Sequence, residues 1–185
     1  LPYPYGHGSF AEYVVGPTRA FAPKPVNLDH IRAAAIPLAA LTAWQALVDT
    51  AKLQAGQRIL IHAAAGGVGH FAVQIAKARG AYVIGTASAA NHEFLREIGA
   101  DETIDYRTTD FAEAVGDVDV VLDSIDDENS VRSLRTLRPD GLLVSLRAFG
   151  ATDLATEAKQ LGVRAVRMLV EDDHAGMTAI AELAE

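Results

Sequence analysis

The run from Arg58 to Gly80, RILIHAAAGGVGHFAVQIAKARG, passes from an apolar segment through a glycine-rich turn into a helical pattern without a gap. No other stretch restricts the possible folds as much. Ile59, Leu60 and Ile61 have the composition of a short parallel strand buried on both faces. Val68, Phe71, Ala72, Ile75 and Ala76 then recur at helical spacing, and Gly80 stands where a helix C-terminal glycine belongs. Between them, Ala64-x-Gly66-x-x-Gly69 occupies the dinucleotide fingerprint positions with alanine in place of the first glycine. Gly66 lets the backbone approach a pyrophosphate, Gly69 lets the helix pack on the strand, and the opening amides of the helix face the anion. The bland alternative is a tight strand-to-helix turn with no ligand.

From Arg58 onward strands and helices alternate. The patterns predict strands at 58–62, 82–86, 102–104, 118–123, 141–146 and 163–169, with helices near 68–79, 90–98, 109–115, 128–137, 152–161 and 173–184. This succession predicts an α/β fold, a doubly wound parallel sheet of six strands in the order 3-2-1-4-5-6. Residues 1–30 are different: proline-rich, with aromatic alternation in Phe10, Tyr13 and Phe21, they read as short β or extended segments. Asn27 or Asp29 then caps a helical stretch from about His30 to Lys52, so that 31–55 forms a linker region and 56–185 the nucleotide domain. The front part cannot fold alone.

Composition narrows the function classes. Half of the 185 residues are hydrophobic, enough for one sizeable core. The net charge of -8, without a basic stripe, argues against nucleic acid and anionic membranes as partners. The longest apolar stretch, Ala33 to Leu47, is too short and too interrupted to span a bilayer. The absence of cysteine fits a reducing, cytoplasmic compartment. No signal peptide is visible, and the start at Leu1 and the end inside a helical pattern are read as those of a piece of a longer chain.

The ordered motifs GSFAEYVV, KPVNLD, AAAIPLAALTAWQAL, AAAGGVG, GADETIDYR and VDVVLDS together resemble the medium-chain dehydrogenase/reductase superfamily, specifically its zinc-independent quinone oxidoreductase branch. The resemblance covers nearly the whole chain. It implies a Rossmann domain over 56–185, preceded by the tail of a GroES-like catalytic domain, most of which would be missing.

An NAD-specific site needs a carboxylate at the end of the second strand for the adenine ribose. Here the strand ends Gly85-Thr86-Ala87-Ser88, and Ala87 stands in the acid's place. Its absence permits NADPH without demanding it, because the basic residue that resembling proteins often carry in the next loop is missing from Ala89-Ala90-Asn91-His92. Ser88 and Asn91 offer hydrogen bonds, and Arg107 is a possible cationic partner. Tyr106 matches a family tyrosine beside the 2′-phosphate, although a strand-end aromatic covering the sheet is the alternative. Thr42 matches a family position beside the nicotinamide carboxamide, against an ordinary helix threonine bonded to its own carbonyl. Ala64, Ala65, Gly66, Gly67 and Val68 are expected to bind the diphosphate, with Thr86 at the adjoining strand end. Ser124 and Ile125 after the fourth strand, and Leu146, Arg147 and Ala148 after the fifth, are expected beside ribose and nicotinamide. The family's paired glycines after the fourth strand are here Asp126 and Asp127.

Catalytic zinc is not expected. The position matching one of its ligands is Leu38, and His7, His30, His62, His70, His92 and His174 show no paired-ligand spacing. His62 and His70 flank the glycine loop and are assigned no chemistry. The resemblance then implies direct hydride transfer from NADPH to a quinone or α,β-unsaturated carbonyl, with no catalytic side chain assigned and the fragment itself poorly active. A non-catalytic NADPH-binding sensor or structural protein is the alternative from another class. A methyltransferase using S-adenosylmethionine is a third reading, opposed by Ala87 and Ser88 where that fold wants an acid. The last strand, VRAVRMLV over 163–170, would lie at a sheet edge and is expected to pair with a second copy as a homodimer. The alternating Arg164 and Arg167 leave a solvated edge as the other possibility.

Overall fold

The computed structural model describes residues 10–125, 127–147 and 153–185. Its centre is a six-stranded parallel sheet of β1 (Arg58–Ile61), β2 (Tyr82–Ala87), β3 (Glu102–Asp105), β4 (Val118–Asp123), β5 (Leu137–Ser145) and β6 (Arg164–Arg167). The spatial order is β3-β2-β1-β4-β5-β6, so the direction of winding reverses between β1 and β4. That is the order expected from the alternating pattern.

Because successive strand residues point to opposite faces, each strand feeds two cores. On one face Ile59, Ile61, Val83, Val120 and Leu122 pack against Ala72, Val73 and Ala76 of α3 (Gly69–Ala78) and Leu95 of α4 (His92–Glu97). On the other, Leu60, Ile84, Val121 and Leu143 meet Phe111 of α5 (Phe111–Ala114), Leu134, and Leu154 and Ala158 of α7 (Leu154–Gln160). The fully buried Ile59, Leu60 and Ile61 of β1 therefore have apolar neighbours on both sides, as a central parallel strand must.

Several boundaries differ from the sequence pattern. The helix expected over 128–137 is α6 (Asp127–Ser133) followed by a 3-10 turn, and Leu137 already pairs with Val118 as the start of β5. Pro139 disfavours helical geometry at the residue before it and Asp140 has φ 62°, so the strand starts early and shifts register before it runs straight. The single helix expected from His30 to Lys52 is broken at Ala35–Ile36 into α1 (His30–Ala34) and α2 (Pro37–Trp44), with a π-helical turn at Gln45–Thr50. Pro37 starts α2 rather than extending α1, since it has no N–H for an i−4 bond. Asp29, not Asn27, is the cap, accepting from the Arg32 amide at 2.7 Å.

The front of the chain departs most. Between residues 10 and 29 there is no strand, only a 3-10 turn at Thr18–Ala20 flanked by extended Pro17 and Phe21. A strand needs a partner for its N–H and C=O groups, and among the described residues none lies alongside. The segment instead follows α8 (His174–Ala184): Arg19 pairs with Asp172 at 2.9 Å, the Asn27 amide donates to the Ala184 carbonyl, and the Val26 N–H donates to Glu185. A third apolar cluster of Ile36, Ala40, Leu41, Val170 and Ile180 fastens α2 to α8.

Candidate functional site

β1 ends at the switch point with its backbone held from both sides. The His62 amide donates to the Leu122 carbonyl of β4 at 3.0 Å and the Ala64 amide to the Thr86 carbonyl of β2 at 2.9 Å. Ala63, in the left-handed region at φ 48°, turns the chain, and the Gly66 amide closes the turn onto its carbonyl at 2.8 Å. A Cβ on Gly69 would lie 2.2 Å from the Ala63 carbonyl oxygen and 2.7 Å from the Ala64 Cα, so only glycine lets α3 start this close to the strand. Around Gly67 nothing lies within 4 Å, and Gly66 and Gly67 are exposed. The crevice is open rather than filled by side chains.

The alanine that replaces the first fingerprint glycine has an explanation across the sheet. A Cβ on Gly85 would stand 2.9 Å from the Ala64 methyl, so the side chain gained at position 64 occupies space that β2 leaves empty. The single-strand motif did not reveal this exchange, but the glycine inside an otherwise apolar YVIGTA strand was a signal for it.

The opening of α3 has the electrostatics of an anion site. Its N-cap, Val68, has no capping side chain and the first turn carries no acid. The amides of Gly67, Val68 and Gly69 have no acceptor among the described residues. N–H groups without acceptors at the positive end of a ten-residue helix fit the diphosphate of a dinucleotide.

Beside this loop lies a cleft of about 750 Å³ over the C-terminal ends of the central strands. Of the predicted residues, Thr86, Tyr106 and Ile125 line it, together with His62, Ala63, Arg107, Thr108, Asp110, Phe111 and Arg132. Thr42, Ser88, Asn91, Leu146 and Arg147 lie outside its wall. Thr42, on α2, donates its hydroxyl proton to the Leu38 carbonyl at 2.6 Å, the ordinary helix bond, which leaves its oxygen free only to accept. Ser88 and Asn91 bond each other at 3.2 Å in the loop after β2. Tyr106 is exposed, with the Arg107 guanidinium 5.7 Å from its ring centroid.

The loops after β4 and β5 are bound together. Buried Asp123 accepts from the Ile125 amide at 3.0 Å, from Asn129 at 2.9 Å and from the Ser130 hydroxyl. The Arg147 guanidinium donates to the Ile125 carbonyl at 3.2 Å and the Leu146 amide to the Asp123 carbonyl at 2.8 Å. Ser124 and Ile125 remain exposed. Ala148, and Asp126 in place of a family glycine, lie outside the described residues.

His62, given no role by the sequence, is a hub of the cleft floor. It is buried, with Nε2 2.9 Å from the Ser133 hydroxyl and Nδ1 3.2 Å from the Thr86 hydroxyl. Ser133 donates to the Asn129 carbonyl, so it accepts from His62 Nε2–H, and Thr86 therefore donates to Nδ1. Burial, and more weakly Arg132, push the imidazole pKa down to about 4 against the opposing pull of Asp123. The ring is neutral at pH 7 and spends the Thr86 hydroxyl proton on structure. Its anchoring partners are distant in sequence, which is why no local pattern disclosed it.

Among the described residues no group of three His, Cys, Asp or Glu side chains is arranged to hold a metal, and the chain has no cysteine. Leu38, at the position matching a zinc ligand, is an exposed aliphatic residue. The donor set present here does not fit a zinc centre.

Residues 67–170 match the family described as zinc-binding dehydrogenase. The chain is 42% identical over 150 residues to a 2-haloacrylate reductase of a Burkholderia species, covering 77% of this chain and 45% of that protein. The quinone oxidoreductase of Coxiella burnetii superposes with a TM-score of 0.82 at 38% identity, over 87% of this chain and 51% of that one. The CurK enoyl reductase does so with a TM-score of 0.73 at 39% identity, over 79% and 46%. The chain thus spans about half the length of these relatives. Family match, sheet order and glycine loop agree: the chain belongs to the zinc-binding dehydrogenase family of the medium-chain dehydrogenase/reductase superfamily, and within it to the zinc-independent, quinone-oxidoreductase-like branch.

Proposed function

We propose that this chain is the coenzyme-binding part of an NADPH-dependent reductase that transfers hydride to a quinone or an α,β-unsaturated carbonyl without catalytic zinc. The observation that carries the reading is the uncapped start of α3, with exposed Gly66 and Gly67, at the point where the sheet reverses. In this reading the amides of Ala65, Gly67 and Val68 hold the diphosphate, Gly66 lets it approach the backbone, and Ala64 sets the turn. Ser88 and Asn91 bond the adenine ribose, and Tyr106 and Arg107 meet its 2′-phosphate. Ser124, Ile125, Leu146, Arg147 and Ala148 flank the second ribose and nicotinamide, and the Thr42 oxygen accepts from the carboxamide. Bound coenzyme supplies the hydride; the chain orients it and keeps water from one face.

The named relatives support the acceptor class. A haloacrylate, a quinone and an enoyl group each present a carbon–carbon double bond conjugated to an electron-withdrawing group, which stabilises the charge created as hydride arrives. We assign this chain to the cytoplasm on its cysteine-free composition. No helix among the described residues is long and apolar enough to cross a membrane. β6, paired only to β5, is the edge through which we propose two copies join. Arg164 and Arg167 donate to the carbonyls of Asp140 and Arg147. A molecular mass by light scattering equal to one chain at micromolar concentration would refute the dimer. The reading as a whole is tested by fluorescence titration with NADPH and NADH, with and without a quinone or enone. Tighter binding of NADPH and its oxidation on adding the acceptor are expected. Failure to bind either dinucleotide would remove the coenzyme assignment, and binding without turnover by the whole protein would favour a sensor.

A further inference from the structure

Ala87 stands where an NAD-specific site has an acid. The tertiary structure returns an acid to that place from the neighbouring strand. β2 and β3 run in parallel register with Ala87 opposite Asp105, so the last residues of the two strands stand side by side. The Asp105 carboxylate leans over the loop that follows β2: its Oδ2 accepts from the Ala89 amide at 3.2 Å and its Oδ1 from the Arg107 amide at 3.0 Å. The turn behind it is closed by the Thr108 and Thr109 amides, which both donate to the Asp105 carbonyl. The carboxylate is thus held beside Ser88 and Ala89 rather than free to swing away, and it is half-buried, where screening is weaker than in open water.

We propose that Asp105 is a specificity-determining residue: its charge restrains the preference for a 2′-phosphorylated adenine dinucleotide. The proposal rests on the dinucleotide reading above. Arg107, two residues away and in no ion pair among the described residues, acts in the opposite sense. Discrimination at this strand tip is therefore the difference between one repulsive and one attractive charge, supplied by the last residue of β3 and the turn after it. A dianionic 2′-phosphate meets both charges; the 2′-hydroxyl of NADH is neutral to Arg107 and can donate a hydrogen bond to the carboxylate.

The test is equilibrium fluorescence titration of NADPH and NADH on the full chain and on two variants, D105N and D105S, with circular dichroism to verify folding. Asn keeps the shape and Ser a small acceptor, and both remove the charge. The ratio of the NADH to the NADPH dissociation constant should rise in both variants by roughly tenfold, the effect of one partly screened unit charge a few ångströms from the phosphate. A ratio that stays put in the folded variants, whether the two affinities hold or fall together, overturns the proposal and leaves the coenzyme assignment standing. No binding of either dinucleotide to the unsubstituted chain overturns both.

Discussion

The glycine loop between β1 and α3 and the front segment over residues 10–29 are both irregular, yet one is closed by its own backbone and the strands beside it, while the other has a few local turns and is otherwise tied to the far end of the chain. In the loop, the bonds run within a few positions or to a strand immediately alongside: Gly66 to Ala63, Ala64 to Thr86, His62 to Leu122. In the front segment Phe10, Tyr13 and Val15 are almost wholly exposed, and its tertiary bonds run to Asp172, Ala184 and Glu185 at the far end of the chain. A local motif whose geometry is closed by near neighbours can be read from the amino-acid order. A segment whose partners lie elsewhere cannot.

The sharpest way to break this contrast is Gly69→Val against Gly67→Ala. At Gly69 even the Cβ would overlap the Ala63 carbonyl, so the substitution should cost about 3 kcal/mol or more and displace the start of α3. At Gly67 the Cβ meets nothing, so thermal unfolding should move little while dinucleotide affinity falls. Equal stability of the two variants in urea would mean that the loop is not held as described.

A pH titration of stability comes next in size. His62 has a folded pKa of about 4, below its unfolded value near 6.5, so the unfolded chain binds the extra proton between these pH values. Stability should therefore be constant above about pH 6.5 and fall as pH drops toward 4, by about 3 kcal/mol in all. His62→Gln should start lower, because Ser133 and Thr86 lose a partner, but show a flatter slope over that window. An unchanged slope would show that another group drives it.

A smaller effect tests the exchange between strand and loop. Gly85→Ala alone should cost about 1 to 3 kcal/mol by pressing on the Ala64 methyl, and adding Ala64→Gly should restore most of it. Additive losses in chemical denaturation would separate the two sites. The smallest change is expected in the front segment, where Phe10→Ser with Tyr13→Ser should alter stability by under about 0.5 kcal/mol.

The candidate site was legible unevenly for the same reason. Gly66, Gly67 and Val68 could be placed from the order strand, turn, helix, because close approach of backbone to an anion needs small residues at fixed offsets. Tyr106 and Ile125 reach the cleft because they follow strands whose C-terminal ends must lie there. Thr42 carried two readings, and its hydroxyl makes the ordinary bond to Leu38, leaving only an acceptor to offer. His62 was assigned no chemistry and Asp105 no role, since each gains its meaning from a strand or helix remote in sequence.

Hydrophobic alternation and glycine spacing are properties of neighbouring residues, and by themselves they determined the parallel α/β sheet, its strand order and the glycine turn, while the ordered motifs carried the family resemblance. Register and burial arise only when distant segments meet. The tertiary structure therefore decided that Gly85 makes room for Ala64, that a neutral His62 braces the cleft floor, and that an acid, Asp105, stands opposite Ala87 on the adjoining strand.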